Sequence, residues 1–171
     1  MSTLLEKISS YQIVNYLFPG ICFVWLSDSL SLFKIPLFTD RIIENFFIYY
    51  FIGMLINRIG SLIIEPFLRY IKFILFSKYE DYIEAEKYDK KISILSEINN
   101  NFRSLTSMSF IILLCFLYNN IANNTLLNYE FIKLILILSI FIIFLLSYKK
   151  QTKYIKNRVD FIKSNTKPIT G

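Results

Sequence analysis

Four long stretches of apolar residues, separated by charged segments, constrain this chain more than any other feature of its sequence. A helix needs about 20 mostly apolar residues to cross the hydrocarbon core of a bilayer. The stretches that approach or reach this length are 11–32, 42–64, 105–122 and 129–148. Since 54% of the 171 residues are hydrophobic, a soluble fold of this size would leave too much apolar surface in water. We therefore predict an all-α polytopic membrane protein with four transmembrane helices.

Lysine and arginine are distributed unevenly between the segments that join these predicted spans. Cytoplasmic flanks of membrane spans collect positive charge. The segments predicted to lie outside keep Lys34 and Arg41, with Lys133 near the start of the fourth span, whereas seven basic residues follow Tyr148. We therefore predict a multi-pass protein of the bacterial inner (cytoplasmic) membrane with both termini in the cytoplasm.

The predicted spans divide the chain into two transmembrane hairpins, a loop and a tail. Residues 1–65 form the first hairpin and 105–148 the second, with a cytoplasmic loop at 66–104 and a basic cytoplasmic tail at 149–171. Within the loop, apolar residues recur at steps of three and four up to the third span, as on one face of an amphipathic helix. We therefore predict that the loop is helical rather than a flexible linker.

One face of the second predicted span consists of small and amide side chains. Gly53 and Asn57 are four residues apart, and Gly60 and Ser61 follow Asn57 after three and four residues. Small residues let two membrane helices approach closely, and an amide can form a hydrogen bond across the contact. We predict that this face is buried, either by packing within one subunit or at an interface between subunits.

Three ionisable residues lie within or at the ends of the predicted spans: Asp28, Arg58 and Glu65. Charges at this depth are costly unless they have a partner or reach the interface. Seven residues nearly restore the same helical face, so we expect Arg58 and Glu65 to pair or share a partner, unless Arg58 reaches the headgroups. Asp28 is expected at the outer interface, or as a partner of Arg58 if a kink at Pro19–Gly20 brings it deeper.

The cytoplasmic loop contains acidic side chains interleaved with tyrosines: Tyr79, Glu80, Asp81, Glu84 and Glu86. Such a run is typical of a solvated helix face. Aromatic residues are also enriched in the cores of protein interfaces. The run therefore predicts either a solvated face or a docking surface for a soluble cytoplasmic protein.

The tail begins with a cluster of basic side chains: Lys149, Lys150, Lys153, Lys156 and Arg158. Anionic lipid headgroups attract each such charge near the surface by about 1 kcal/mol, so binding to membrane lipids is the preferred interpretation. Positive charge also attracts nucleic acid, but no recognisable nucleic-acid-binding motif accompanies it. Direct binding to nucleic acid is therefore not expected.

Histidine is absent from the sequence, which removes the commonest general base and a common metal ligand. The two cysteines, Cys22 and Cys115, both fall in apolar stretches, where a thiol usually packs as a small hydrophobic group. No nucleophile elbow and no glycine-rich phosphate loop occurs. We expect neither an enzyme nor a metal or cofactor site.

Four short segments follow one another along nearly the whole chain: 15–20 (NYLFPG), 58–66 (RIGSLIIEP), 78–86 (KYEDYIEAE) and 95–100 (LSEINN). In their order and in its predicted topology, the chain resembles small four-span membrane proteins of bacterial anti-phage defence loci, with the KwaA family of the Kiwa system as the nearest named match. The resemblance implies an oligomeric, tetrameric membrane sensor that works with a soluble cytoplasmic DNA-binding partner, KwaB. It is a resemblance of topology and assigns no functional residue.

Two functional hypotheses follow from these features. The first is an oligomeric inner-membrane scaffold or sensor that recruits a soluble cytoplasmic partner, as the acidic and aromatic loop and the small-residue face indicate. The alternative is a membrane pore or depolarising effector, which the polar residues Asp28, Asn57 and Arg58 within the predicted spans would serve.

Overall fold

A computed structural model describes residues 13–33, 41–123 and 128–166, and the secondary structure of these residues is helical. The first helix begins as a π-helical turn, Ile13–Leu17, and continues as α1, Phe18–Ser29. The elements that follow are α2 (Ile42–Ile59), a second π-turn (Gly60–Ile64), α3 (Glu65–Tyr70), α4 (Tyr79–Tyr88), α5 (Lys91–Asn123) and α6 (Asn128–Thr166). The all-α prediction is confirmed for the described part of the chain.

Within the described residues, three helical runs are long and apolar enough to cross a membrane: Ile42–Tyr70, Lys91–Ala122 and Glu130–Asn165. They correspond to the second, third and fourth predicted spans. The first predicted span, 11–32, corresponds to the first π-turn and to α1, which has 12 residues. Residues 11 and 12 of that span lie outside the described part.

Helices α5 and α6 pack antiparallel along most of their length. The rings of Phe110 and Phe141 have centroids 5.6 Å apart, and Thr152 donates a hydrogen bond to Asn99 Oδ1 at 3.0 Å. The two helices have 33 and 39 residues. They are therefore about 50 and 58 Å long, compared with about 30 Å for the hydrocarbon core. Both helices continue beyond the thickness of a membrane at the same end of the molecule.

The segment predicted as a basic tail, 149–171, is part of this continuation as far as Thr166. No proline or glycine occurs from 149 to 167 to end the helix, and Ile155 and Val159 on its inner face are buried. The basic residues of the tail are therefore held on a packed helix. Residues 167–171 lie outside the described part.

The buried apolar residues form three clusters that follow one another along the long axis. The cluster between the spans comprises Ile56, Met108, Ile112, Leu113, Phe116 and Ile137. The cluster at the base of the spans comprises Ile64, Leu68, Ile74 and Tyr148. The third cluster comprises Ala85, Ile92, Ile155 and Val159. Around this third cluster, α4 packs with residues 91–100 of α5 and 149–166 of α6, and we call this unit the distal bundle.

Both π-turns precede a proline that lies inside a continuous helical run. Pro19 and Pro66 have no N–H group to donate, and each ring crowds the carbonyl of the residue four positions earlier. Those residues, Asn15 and Leu62, lie at the centres of the two π-turns. A widened turn relieves the crowding while the helix continues. The irregularity predicted at Pro19 therefore takes the form of a π-turn that ends just before it.

Candidate functional site

Helices α1 and α2 cross at two glycines, where their backbones touch. A Cβ atom on Gly53 would lie 1.7 Å from the carbonyl oxygen of Tyr16, and one on Gly20 would lie 1.8 Å from the carbonyl oxygen of Tyr49. Both distances are far below van der Waals contact, and backbone atoms cannot rotate away as a side chain can. The crossing therefore has no room for a side chain at either glycine.

Gly60 permits a similar approach between the second π-turn and α5. A Cβ atom on Gly60 would lie 2.5 Å from Ser107 Oγ. Helix α5 presents a run of small buried polar residues here: Ser104, Thr106, Ser107 and Ser109. Their hydroxyl groups donate hydrogen bonds to carbonyl oxygens of the preceding turn of α5. These hydroxyl groups therefore have acceptors within their own helix, and the small side chains leave room for a second helix to approach.

A buried triad of polar side chains joins the first π-turn, α2 and α5. Asn57 Nδ2 donates to Ser104 Oγ at 2.7 Å and to Asn15 Oδ1 at 3.1 Å. Ser104 Oγ also donates to Asn15 Oδ1 at 3.1 Å. Polar groups inside a membrane need such partners because lipid supplies none. The triad therefore fixes the positions of three helices relative to one another.

The residues predicted as a packing or subunit interface lie at these contacts. Gly53, Asn57 and Gly60 are buried against other helices of the same chain, and half-buried Ser61 donates to the carbonyl oxygen of Arg58 at 3.0 Å. Packing within one subunit accounts for the contacts of this face. Its use as an interface between subunits stays a prediction.

Removing the hydroxyl of Ser104 is expected to destabilise the fold. Ser104→Ala leaves two buried amides with one partner fewer, and we expect the free energy of unfolding to fall by about 1 kcal/mol. Ser139→Ala is the matched control, because exposed Ser139 donates to the carbonyl oxygen of Ile135 in its own helix, and a change below about 0.5 kcal/mol is expected. Unfolding in detergent by SDS titration, followed by circular dichroism, measures both. Equal effects of the two substitutions would contradict a role for the triad.

A network of charged side chains surrounds Glu65 at the base of the predicted spans. Its two carboxylate oxygens lie 2.7 Å from an Arg69 nitrogen and 2.8 Å from Arg103 Nη1. Tyr148 donates its phenol hydrogen to Glu65 Oε2 at 3.2 Å. The side chains of Glu65 and Arg103 are 15% and 14% exposed, and Tyr148 is fully buried. The network therefore ties α3, α5 and α6 together where the helices pass from the spans into the distal bundle.

Arg58 and Glu65 do not share a helical face, because the second π-turn lies between them. A π-turn adds about one residue to the local helical repeat and so rotates Glu65 by roughly 100° from the position in a regular α-helix. Glu65 consequently faces α5 and α6, whereas Arg58 is exposed. Asp28 is exposed as well. The structure does not support the predicted pairing of Arg58 with Glu65.

No protein-family model, no curated protein and no solved structure matches this chain. The likeness to Kiwa membrane subunits therefore rests on the order of its sequence segments and on its predicted topology, and it stays a prediction.

The predicted docking residues lie on α4 of the distal bundle, where they differ in their surroundings. Asp81 forms an ion pair with Lys163 of α6 at 2.6 Å. Glu86 is half-buried, whereas Tyr79, Glu80 and Glu84 are exposed. The outer face of α4 therefore keeps two carboxylates and a tyrosine in solvent, and the inner edge is held by α6.

The residues predicted to bind lipid headgroups differ in the same way. Lys149 Nζ lies 4.2 Å from the centre of the Phe73 ring, Lys150 and Lys153 are exposed, and Lys156 pairs with Asp160 at 3.3 Å. Arg158 pairs with Asp89 at 2.5 Å. Ten residues of helix place Arg158 about 15 Å beyond Tyr148. Its observed contact is with the distal bundle, and the other four lie closer to Tyr148 along α6.

The ion pair between Asp89 and Arg158 keeps both groups charged. The hydrogen bond from Arg158 lowers the pKa of the Asp89 carboxyl, with a smaller contribution from the backbone N–H of Lys91. The same bond raises the pKa of Arg158. Likewise, the hydrogen bond to Asp81 raises the pKa of Lys163. Both ion pairs hold α4 against α6.

The sequence did not predict a site role for four residues: Asn15, Arg103, Ser104 and Tyr148. A signal existed for Ser104, because it opens a small-residue run like the one that identifies the Gly53 face. Arg103 and Tyr148 stand near the ends of predicted spans, where aromatic and basic residues are common and do not stand out. Their link to Glu65 is not visible in local spacing.

Proposed function

We propose that this chain is a membrane scaffold or sensor subunit that recruits a soluble cytoplasmic protein. The observation that supports it is the distal bundle, which continues α5 and α6 beyond the spans and presents the outer face of α4. Tyr79 and Tyr88 on this helix are 78% and 67% exposed. Aromatic residues of this kind are enriched where proteins bind one another. The bundle thus offers a partner a surface rigidly joined to the membrane helices.

The charge on this face indicates the chemistry of the partner. Glu80, Glu84 and Tyr88 line one groove on the outer side of α4, where two carboxylates stand against one cation, Lys87. Carboxylates around exposed aromatic rings are complementary to a basic surface, which steers association and selects the partner. A soluble protein with a basic surface is therefore the proposed occupant. A DNA-binding protein, as the resemblance to the Kiwa system implies, carries basic surface of this kind.

The proposal places four spans in the bacterial inner membrane, with α1 as the shortest. Arg69, Arg103 and Lys149 all lie at the base of the spans, on the side of the distal bundle. This clustering supports a cytoplasmic location for that side, since positive charge is retained in the cytoplasm. Both termini are then cytoplasmic, which reporter tags at the two ends would test.

Co-purification tests recruitment. The full-length protein in detergent is expected to retain the soluble product of an adjacent gene, and Glu84→Gln with Tyr88→Ala is expected to weaken retention by about tenfold, since aromatic anchors dominate interface energies. Glu97→Gln with Tyr118→Ala is the matched control, because both residues are exposed and lie away from the groove. Recruitment is refuted if the wild-type protein retains nothing and α4 stays equally sensitive to protease with and without the partner.

The proposal also includes assembly into a homo-oligomer, a tetramer, and a role in anti-phage defence, both of which rest on the resemblance. The mass of the complex in detergent tests assembly. The alternative function, a pore or depolarising effector, is less favoured because Asn15, Asn57 and Ser104 bond to one another inside the span layer. Ion flux from reconstituted liposomes above that of empty vesicles would favour the alternative.

A further inference from the structure

A cavity of about 360 Å³, lined by both polar and apolar side chains, lies between the base of the spans and the distal bundle. Its walls come from α3, from the connection before α4, and from α4, α5 and α6. Ligand sites in proteins start at roughly 300 Å³, so this cavity is large enough for a headgroup or another small ligand. It shares only Tyr79 with the outer groove of α4, and a ligand here is a property beyond partner recruitment.

Cationic groups predominate among the charged residues that line the cavity in the described part of the chain. Arg69, Arg103 and Lys156 face a single carboxylate, that of Glu65. Glu65 is engaged by both arginines and by Tyr148, so its negative charge is already compensated. Each arginine uses one terminal nitrogen for Glu65 and has further N–H groups. The cavity is therefore suited to an anion rather than a cation.

Two buried polar atoms in the cavity wall point to a missing acceptor. Arg103 Nε and Ser77 Oγ are buried and have no hydrogen-bond partner in the part of the chain that the structure describes. Buried donors without acceptors are costly and rare in native structures. A ligand with several acceptor oxygens can supply them after small side-chain rotations. Phosphate has this property, and the planar guanidinium fork matches its geometry.

The depth of the cavity indicates where such a ligand comes from. Lys156 follows Tyr148 by eight residues, which is about 12 Å along α6. Glu65 lies at the same depth as Tyr148, because the two side chains share a hydrogen bond. The headgroup region extends about 5 to 8 Å beyond the hydrocarbon core on each side. The upper part of the cavity therefore lies where the phosphates of the lipid leaflet lie.

We propose that this cavity binds a phosphate ester, with Arg69 and Lys156 as its direct partners and Ser77 as a hydrogen-bond donor. The headgroup of an anionic phospholipid is the source that the depth favours, and a soluble phosphate ester shares the same chemistry. Lys156 is drawn from its ion pair with Asp160 toward the cavity when the ligand binds. Bound lipid then bridges α3 and α6 at the point where the spans meet the distal bundle.

Native mass spectrometry of the full-length protein, with no partner present, tests the proposal. Phosphatidylglycerol is expected to bind at least tenfold more tightly than phosphatidylcholine. Lys156→Gln is expected to weaken this binding by about tenfold. Lys90→Gln is the matched control: it removes the same charge from an exposed position in the connection between α4 and α5, outside this cavity. Asp160→Asn releases Lys156 from its ion pair and is expected to strengthen binding of phosphatidylglycerol. Unfolding could not produce such a gain in affinity.

A second titration with soluble glycerol phosphate separates the two sources. Binding of phosphatidylglycerol alone assigns the site to a lipid headgroup, and binding of both ligands assigns it to phosphate esters in general. Equal losses in Lys90→Gln and Lys156→Gln would overturn the proposal, because they would show attraction to surface charge only. Equal affinity for phosphatidylcholine would overturn it as well. Neither result bears on partner recruitment, whose variants leave this cavity intact.

Discussion

Gly53→Ala is expected to destabilise the protein strongly, because it adds a methyl group where the backbones of two helical segments touch. The new Cβ would lie 1.7 Å from the carbonyl oxygen of Tyr16, so the first π-turn and α1 must move away from α2. Overpacking usually costs about 1 to 3 kcal/mol, and we expect at least the upper value because backbone has to yield. The same movement separates Asn15 from Asn57 and so breaks the buried triad.

Trp25 offers a direct readout of this displacement, because it is the single tryptophan of the sequence and lies on α1. Its fluorescence in detergent is expected to shift in Gly53→Ala, together with a lower unfolding midpoint. Gly60→Ala is the matched control: its Cβ meets Ser107 Oγ at 2.5 Å, a group that can rotate, and a loss of about 1 to 2 kcal/mol is expected. A Gly53→Ala protein as stable as Gly60→Ala would refute backbone contact at the crossing.

Glu65→Gln is expected to lower the free energy of unfolding by about 3 kcal/mol, because it leaves the nearly buried guanidinium of Arg103 without its counter-charge. The value is at the lower end of the range for buried pairs, since Arg69, the second partner, is 51% exposed. Thermal unfolding in detergent, read by circular dichroism, measures the change. The decrease in the free energy of unfolding is expected in protein without added lipid or partner, because the network lies within a single chain.

Glu44→Gln is the matched control for this substitution. Glu44 pairs with Arg41, and the two side chains are 59% and 75% exposed, so a change below about 1 kcal/mol is expected. A double substitution, Glu65→Met with Arg103→Met, is expected to recover most of the lost stability, because it removes both buried charges together. If the double variant is less stable than Glu65→Gln, the ion pair is not the cause of the loss.

Local features of the sequence sufficed to predict the helices and the face of α2. A segment of about 20 apolar residues is stable inside a bilayer only when a helix satisfies its own backbone, so composition alone locates the long helices. The second predicted span begins at residue 42, and α2 begins at Ile42. The Gly53 face was likewise visible, since residues three and four apart share a face of any regular helix.

The same regularity explains the error at Arg58 and Glu65. A step of seven residues restores a face only while the helix keeps its α repeat, and the π-turn before Pro66 interrupts it. Proline marks a point of irregularity in a sequence, but a kink, a break and a π-turn are all consistent with it. Packing against α5 and α6 decides which of these forms.

The sequence by itself determined that the chain is helical, apolar in long stretches and basic at one end, because these properties depend on neighbours along the chain. Tertiary structure alone decided the distant partners of Glu65: Arg103 lies 38 residues away and Tyr148 lies 83 residues away. It also decided that the basic tail packs against the acidic helix α4. Contacts between distant residues depend on how helices of nearly equal hydrophobicity fit side by side, and that fit depends on shape and on the pairing of buried polar groups.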